Sequence, residues 1–120
     1  MPTTRRFLLG CCRSCRRNEM EPTYDKDGCP TDETLKTIVE WPFDDPAGWL
    51  QFCRDAWDEF YGKVRWDLLP GCLIHAEFIT GGWSNNEVVV SAMRKNFMLW
   101  SRCWVSSHRG GLDIFEEPGR

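Results

Sequence analysis

Four cysteines near the N-terminus have the type and spacing to hold a metal. Cys12-x-x-Cys15 supplies two thiolates at one corner of a tetrahedron, and Cys11 and Cys29 stand near enough in sequence to complete the soft four-ligand set that zinc takes. A second Cys-x-x-Cys knuckle is missing, so zinc on Cys11, Cys12, Cys15 and Cys29 stands beside a simpler alternative, a cysteine-rich tail with no ligand. Redox use would need a strand and a helix flanking the pair, and the sequence pattern supplies neither. Cys53, Cys72 and Cys103 fall inside apolar patterns, where a free thiol packs as a small hydrophobe. An odd total of seven cysteines then points to a reducing compartment, and so to the cytoplasm.

A second group surrounds Ser84. The string Trp83-Ser84 beside two glycines suggests a nucleophile elbow, but the Gly-x-Ser-x-Gly pattern fails at Asn86. Ser84-Asn85-Asn86-Glu87 fits a capping box instead, with the serine side chain accepting from the N3 amide and the glutamate reaching back to the serine amide. Free amides at that helix start would form an anion site with Arg109, provided the turn from His108 to Gly111 folds back towards Ser84. The candidate binding residues are therefore Trp83, Ser84, Asn86, Glu87, His108 and Arg109, weighed against a plain cap and a solvated basic turn. Trp83 lies between two elements, either as a lid on the core or as an anchor for a protein partner. His75 and Glu77 share a strand face, as an acid–base pair or as an exposed pair.

The elements that must position these groups follow from capping signals and periodicity. Thr31 can cap a short helix that carries Asp32 and Glu33 at its positive end and stops at Trp41-Pro42. Asp45-Pro46 starts a second helix, and Trp49, Phe52, Cys53, Ala56, Trp57 and Phe60 recur at helical spacing on one face. Gly62 is then expected as its left-handed C′ residue. Val64, Trp66 and Leu68 alternate with charged residues, as do Ile74, Ala76 and Phe78 beyond Pro70-Gly71. This predicts two strands joined by a loop longer than two residues. A third helix is expected from Ser84 to about Trp104, with Trp100 and Trp104 on its buried side, and a last strand from Leu112 to Glu116.

The bulk properties bound the answer. A chain of 120 residues with 42% hydrophobic residues, seven Trp and seven Phe has the material for one core. No apolar run approaches the roughly 20 residues of a membrane span. The net charge of −3 conceals an asymmetry, because residues 1–17 hold five arginines and no acid and leave −8 for the remainder. An acidic body argues against a phosphate-tracking surface, and hence against nucleic acid as partner, and it suits docking on a basic protein. Twin arginines at Arg5-Arg6 and the Leu8-Leu9-Gly10-Cys11 string resemble export and lipidation signals. Only Phe7, Leu8 and Leu9 are available for the apolar stretch that either signal needs, so neither is expected.

The string Thr80-Gly81-Gly82-Trp83-Ser84-Asn85-Asn86-Glu87, followed by Asn96, Trp100, Trp104 and Ser107-His108-Arg109-Gly110-Gly111, resembles a family of small phage and prophage proteins. That family carries a Thr-Gly-Gly-Trp-Ser-Gly-Asn-Glu signature, a downstream Asn and two Trp, and a Ser-x-Arg-Gly-Gly ending. The resemblance spans residues 73–116 and, more loosely, 33–62, with Asn85 replacing a glycine. It implies a viral origin and action in the cytoplasm of the host cell, and it assigns no chemistry.

The expectation is an α+β protein with a basic, Cys-rich arm over residues 1–30, flexible or clamped by metal, and one domain over 31–120. In that domain two or three helices pack on an antiparallel sheet of about three strands. Two functions remain open. One is a non-enzymatic, phage-encoded accessory protein that binds a host or viral protein. The other is a small enzyme or anion-binding domain built on the Ser84 helix start and the His108–Gly111 turn.

Overall fold

The computed structural model describes residues 21–119. Its elements in chain order are α1 (Asp32–Glu40), α2 (Pro46–Ala56), β1 (Lys63–Leu69), β2 (Leu73–Ile79), α3 (Ser84–Lys95), α4 (Phe97–Cys103), β3 (Trp104–His108) and β4 (Leu112–Glu116). The four strands form one antiparallel sheet in the order β1-β2-β4-β3. The class is α+β, with one strand more than the sequence suggested. No helix among the described residues is long and apolar enough to cross a membrane.

The first two helices begin where their caps require. The Thr31 side chain accepts from the Thr34 amide, and the Asp45 carboxylate accepts from the Gly48 amide with Pro46 in the first turn. Residues 21–30 are tied to this region as well. The Thr23 amide donates to Thr34 Oγ1 at 2.8 Å, and the Tyr24 hydroxyl donates to the Asp55 carbonyl.

Four tryptophan indoles satisfy polar groups at element ends, three of them (Trp41, Trp49 and Trp57) with their rings in the core and Trp104 with its ring exposed. Trp41 Nε1 donates to the Asp45 carbonyl at 3.1 Å, Trp49 Nε1 to the Ile38 carbonyl at 3.1 Å, Trp57 Nε1 to the Ile79 carbonyl at 3.1 Å, and Trp104 Nε1 to Ser107 Oγ at 2.8 Å. Trp49, Phe78 and Phe115 meet edge to face, as do Trp57 with Phe78 and Trp100 with Phe115, so α2 and α4 sit on the sheet face that carries Phe78 and Phe115. Burying such rings contributes about 2 kcal/mol each by area, which makes this aromatic layer the main apolar contribution to the core.

Five expectations fail locally, each for a tertiary reason. Helix α2 ends at Ala56, not near Gly62, because Trp57 turns into the core and the Asp58 backbone is taken by the side chain of Asn86. Phe60 consequently stands 83% exposed instead of on a buried helix face. Gly62 is no left-handed cap. It is a close-approach glycine, since a Cβ there would stand 2.4 Å from the Ile79 carbonyl oxygen and 2.5 Å from Asn86 Nδ2.

The helix from Ser84 breaks at Asn96, whose Nδ2 donates to the Ile38 and Trp41 carbonyls at 3.0 and 3.2 Å while its Oδ1 accepts from the Leu99 amide and caps α4. Trp104 therefore opens strand β3 and is 42% exposed, its ring stacked on Trp100. By contrast the β1–β2 hairpin closes as expected over three residues. Leu69 pairs with Leu73, and the Cys72 amide donates to the Leu69 carbonyl.

Candidate functional site

The end of the sheet around Thr80 gathers most of the residues that the sequence singles out. The Trp83 amide donates to the Thr80 carbonyl at 3.1 Å, with Gly81 and Gly82 both at positive φ between them, the arrangement of a type I′ turn. Thr80 Oγ1 accepts from the Gly82 amide at 3.2 Å. The Gly110-Gly111 loop abuts the same residue: the Thr80 amide donates to the Gly111 carbonyl at 3.0 Å. The two glycine-rich segments thus meet in space.

The Ser84/Glu87 capping box does not form. Trp83 is the N-cap residue, no side chain caps the helix, and Ser84 is the first helical residue with its side chain exposed. The reason is Asn86, which is fully buried. Its Oδ1 accepts from the Asp58 amide at 2.8 Å, and its Nδ2 donates to the Asp58 and Thr80 carbonyls at 3.0 and 3.2 Å. Pulling Asn86 inward shifts the helix frame by one residue, and Asn86 is a staple between the residue 58–62 loop, β2 and α3. Glu87 remains exposed in the first turn of α3, favourably placed at the positive end of the helix.

His108 does not join Ser84 and Glu87. In the sheet register His108 pairs with Leu112, and Leu112 with Ile79, which puts His108 on the face opposite Phe78 and Asp113. Its Nε2 lies 3.0 Å from Ser106 Oγ. Arg109 is exposed in the β3–β4 loop. The helix start and the basic turn are neighbours along the backbone contact at Gly111, but the register turns His108 to the sheet face away from Phe78 and Asp113.

Two features around this end were not singled out as sites from the sequence. The first is a cleft of about 250 Å³ between α3 and β4, lined by Thr80, Glu87, Ser91, Arg94, Gly111 and Asp113 among others. Asp113 is only 5% exposed and accepts from the Ser107 hydroxyl. One signal was present: Asp113 occupies a core-facing position in the alternation Leu112-Asp113-Ile114-Phe115, where an acid is out of place.

The second feature is an aromatic group. The Tyr61 ring lies 4.3 Å from the Trp83 ring and 4.7 Å from that of Phe60, and Trp83 is itself half-buried. Periodicity had assigned Phe60 to the core, so this surface was hidden from the sequence.

His75 and Glu77 form part of a chain across three strands. His75 Nε2 lies 3.2 Å from Glu77 Oε2, His75 Nδ1 lies 2.8 Å from Glu116 Oε2, and Arg65 reaches Glu77 at 3.4 Å. The hydrogen bond to Glu77 raises the His75 pKa above its ordinary value, with Glu116 adding to the rise and partial burial opposing it. The protonated imidazole therefore stabilises the fold. That contribution is complete below the unfolded value of about 6.5 and is lost as pH rises through the higher folded value. His75→Gln is expected to lower the urea midpoint more at pH 6 than at pH 9, and a gap independent of pH would remove the clamp from the account.

Cys29 sits in the turn before Thr31, its carbonyl accepting from the Asp25 amide at 2.8 Å. Cys11, Cys12 and Cys15 lie outside the described residues, as do the five N-terminal arginines. Among the described residues no three His, Cys, Asp or Glu side chains are grouped as metal ligands. Cys53 and Cys103 are buried thiols whose pKa values burial pushes up, that of Cys103 to about 12, which makes them inert as nucleophiles.

No family model matches the chain, no curated protein matches it and no solved structure matches it, so what the site does has to be read from its geometry.

Proposed function

We propose that the protein is a non-enzymatic accessory protein that binds another protein, host or viral, through the aromatic group at Phe60, Tyr61 and Trp83. The observation that carries this reading is the exposure of Phe60 (83%) and Tyr61 (53%) around a half-buried Trp83. A soluble domain gains nothing for its own stability by presenting two aromatic rings to water. Paired aromatic side chains on rigid supports are, in contrast, the common anchors of protein interfaces. The support here is rigid, because Asn86 fixes the loop that carries Phe60 and Tyr61 to the helix start that carries Trp83. Asp58, Glu59 and Glu87 flank the rings in sequence or along α3, which favours a basic rim on the partner. The phage-like signature at residues 80–87 includes Trp83 and the Asn86 that fixes this surface, and it is the reason for proposing a viral origin.

The anion-binding alternative has less support. Glu87 and Asp113 stand beside the helix start and would repel an anion there, and His108 lies across the sheet.

The test is quantitative capture by photo-crosslinking at the Phe60 position in lysate of the source cells, followed by titration calorimetry with the purified partner. Replacing both Phe60 and Tyr61 by Ala is expected to weaken binding by about 2 kcal/mol or more, roughly 30-fold. Phe97→Ala, at an equally exposed aromatic residue on α4, should leave it unchanged. Equal affinity for all three forms would overturn the proposal.

A further inference from the structure

The cleft beside the aromatic group has a chemical character of its own. Its floor is Asp113 on β4, and its wall is the α3 stripe Glu87, Ser91 and Arg94, spaced i, i+4 and i+7 on one helix face. Asp113 is 95% removed from solvent, yet its contacts are few. One carboxylate oxygen accepts from Ser107 Oγ, and among the described residues no hydrogen-bond donor meets the other oxygen and no cation lies within ion-pair distance. Arg94, the basic group nearest at hand, is directed to the Trp100 ring, with its guanidinium carbon 5.3 Å from the ring centroid. The second oxygen is thus left to the cleft, where a cationic group could meet it. Glu87 supplies a second, exposed carboxylate, so that even with Arg94 counted the lining carries one net negative charge, which favours a positive group.

We infer that the cleft is a subsite for a guanidinium or ammonium side chain of the protein partner, received between Asp113 and Glu87 while Phe60, Tyr61 and Trp83 hold the neighbouring apolar residues. The inference rests on the protein-binding reading above and names the partner's chemistry: a segment with an arginine or lysine next to an apolar anchor. The connection is short. Thr80 lines the cleft, and the turn from Thr80 leads directly to Trp83, whose ring lies against Tyr61. A volume of about 250 Å³ suits the end of one long basic side chain and is too small for a folded element. An arginine would match a carboxylate with paired donors, which a lysine does not.

The experiment uses the full chain labelled with nitrogen-15 and titrated with Nα-acetyl-arginine methylamide. The uncharged norleucine analogue and sodium acetate serve as separate controls. Saturable amide shifts are expected at Thr80, Ser91 and Gly111 with the arginine probe alone, with dissociation in the millimolar range. Asp113→Asn, which keeps an acceptor for the Ser107 hydroxyl, should weaken the probe at least tenfold, and Glu87→Gln by about threefold. Shifts of the same size with norleucine, or unchanged affinity in Asp113→Asn, would overturn the inference. If Asp113→Asn does not fold, the exposed Glu87→Gln variant decides, and unchanged affinity there has the same consequence.

Replacing Phe60 and Tyr61 by Ala should leave the probe affinity intact, which separates the two claims. Failure of the probe with aromatic-dependent partner capture preserved removes the cleft alone. The reverse removes the aromatic surface and, with it, the assignment of the cleft to a partner.

Discussion

Asn86→Ala is expected to lower the stability of the fold by about 3 kcal/mol, equivalent to roughly 12 °C in melting temperature for a domain of this size. Three hydrogen bonds converge on this one amide, two of them to the Asp58 backbone and one to the Thr80 carbonyl, and the side chain is fully buried. Truncation removes them all and leaves the buried Asp58 amide without its acceptor, while the Asp58 and Thr80 carbonyls keep only the Gly62 and Trp83 amides. Asn85→Ala provides the control, because Asn85 is also buried and has no side-chain hydrogen bond among the described residues. It should cost less than about 1 kcal/mol. Urea denaturation of both variants measures the difference, and equal losses would mean that Asn86 is a space-filler and not a staple. The aromatic surface should suffer as well. Without the staple, Phe60 and Tyr61 are no longer fixed relative to Trp83, so partner binding should fall even in the fraction that remains folded.

The second large effect is expected at Gly81. Its φ is +65°, and a Cβ would stand 2.0 Å from the Tyr61 carbonyl oxygen, a collision with backbone that no rotamer change relieves. Left-handed strain adds about 1–2 kcal/mol to the displacement of the Tyr61 loop, for a total of about 3 kcal/mol in Gly81→Ala. Gly82 has the same kind of backbone, φ +73°, but nothing lies within 4 Å of its would-be Cβ. Gly82→Ala should therefore cost only the strain, about 1 kcal/mol. Near-UV circular dichroism provides a second readout, since Gly81→Ala moves the Tyr61 ring off Trp83 and Gly82→Ala does not. Matching losses in the two variants would show that positive φ alone governs this turn.

These two residues also mark the boundary of what sequence reasoning could reach. Where a side chain acts on its own neighbours, the reading holds. Thr31 and Asp45 cap the helices they precede, and the alternation of Ile74, Ala76 and Phe78 gives a strand with its core face correctly assigned. Where a side chain acts across the chain, local patterns mislead. Ser84 and Glu87 satisfy every local requirement of a capping box and lose to Asn86, whose partner Asp58 is 28 residues away. The spacing of Phe97 and Trp100 continues the helical period straight through Asn96, yet the helix stops there, because two carbonyls at the end of α1 need that amide more than the helix needs continuity.

Strand β3 was missed for a related reason. Trp104 completes a helical pattern and Ser106 to Gly111 has turn composition, so its five residues extend only because β4 is there to pair with them. The site divides along the same line. Glu87 and Trp83 were legible as candidates. Asp113, Tyr61 and the exposure of Phe60 depend on tertiary placement, and of these only the acid in an apolar strand left a trace in the sequence.

Asn96 reaches back 58 residues to Ile38 and 55 to Trp41. During translation α1 leaves the ribosome long before that amide exists, so the Trp41 carbonyl waits on water until the chain beyond α3 has emerged, while the Ile38 carbonyl has the Trp49 indole. A ribosome stalled before codon 96 would hold a nascent chain whose first half has its caps and no closing partner. The end of α1 is therefore completed only once the chain beyond α3 is in place.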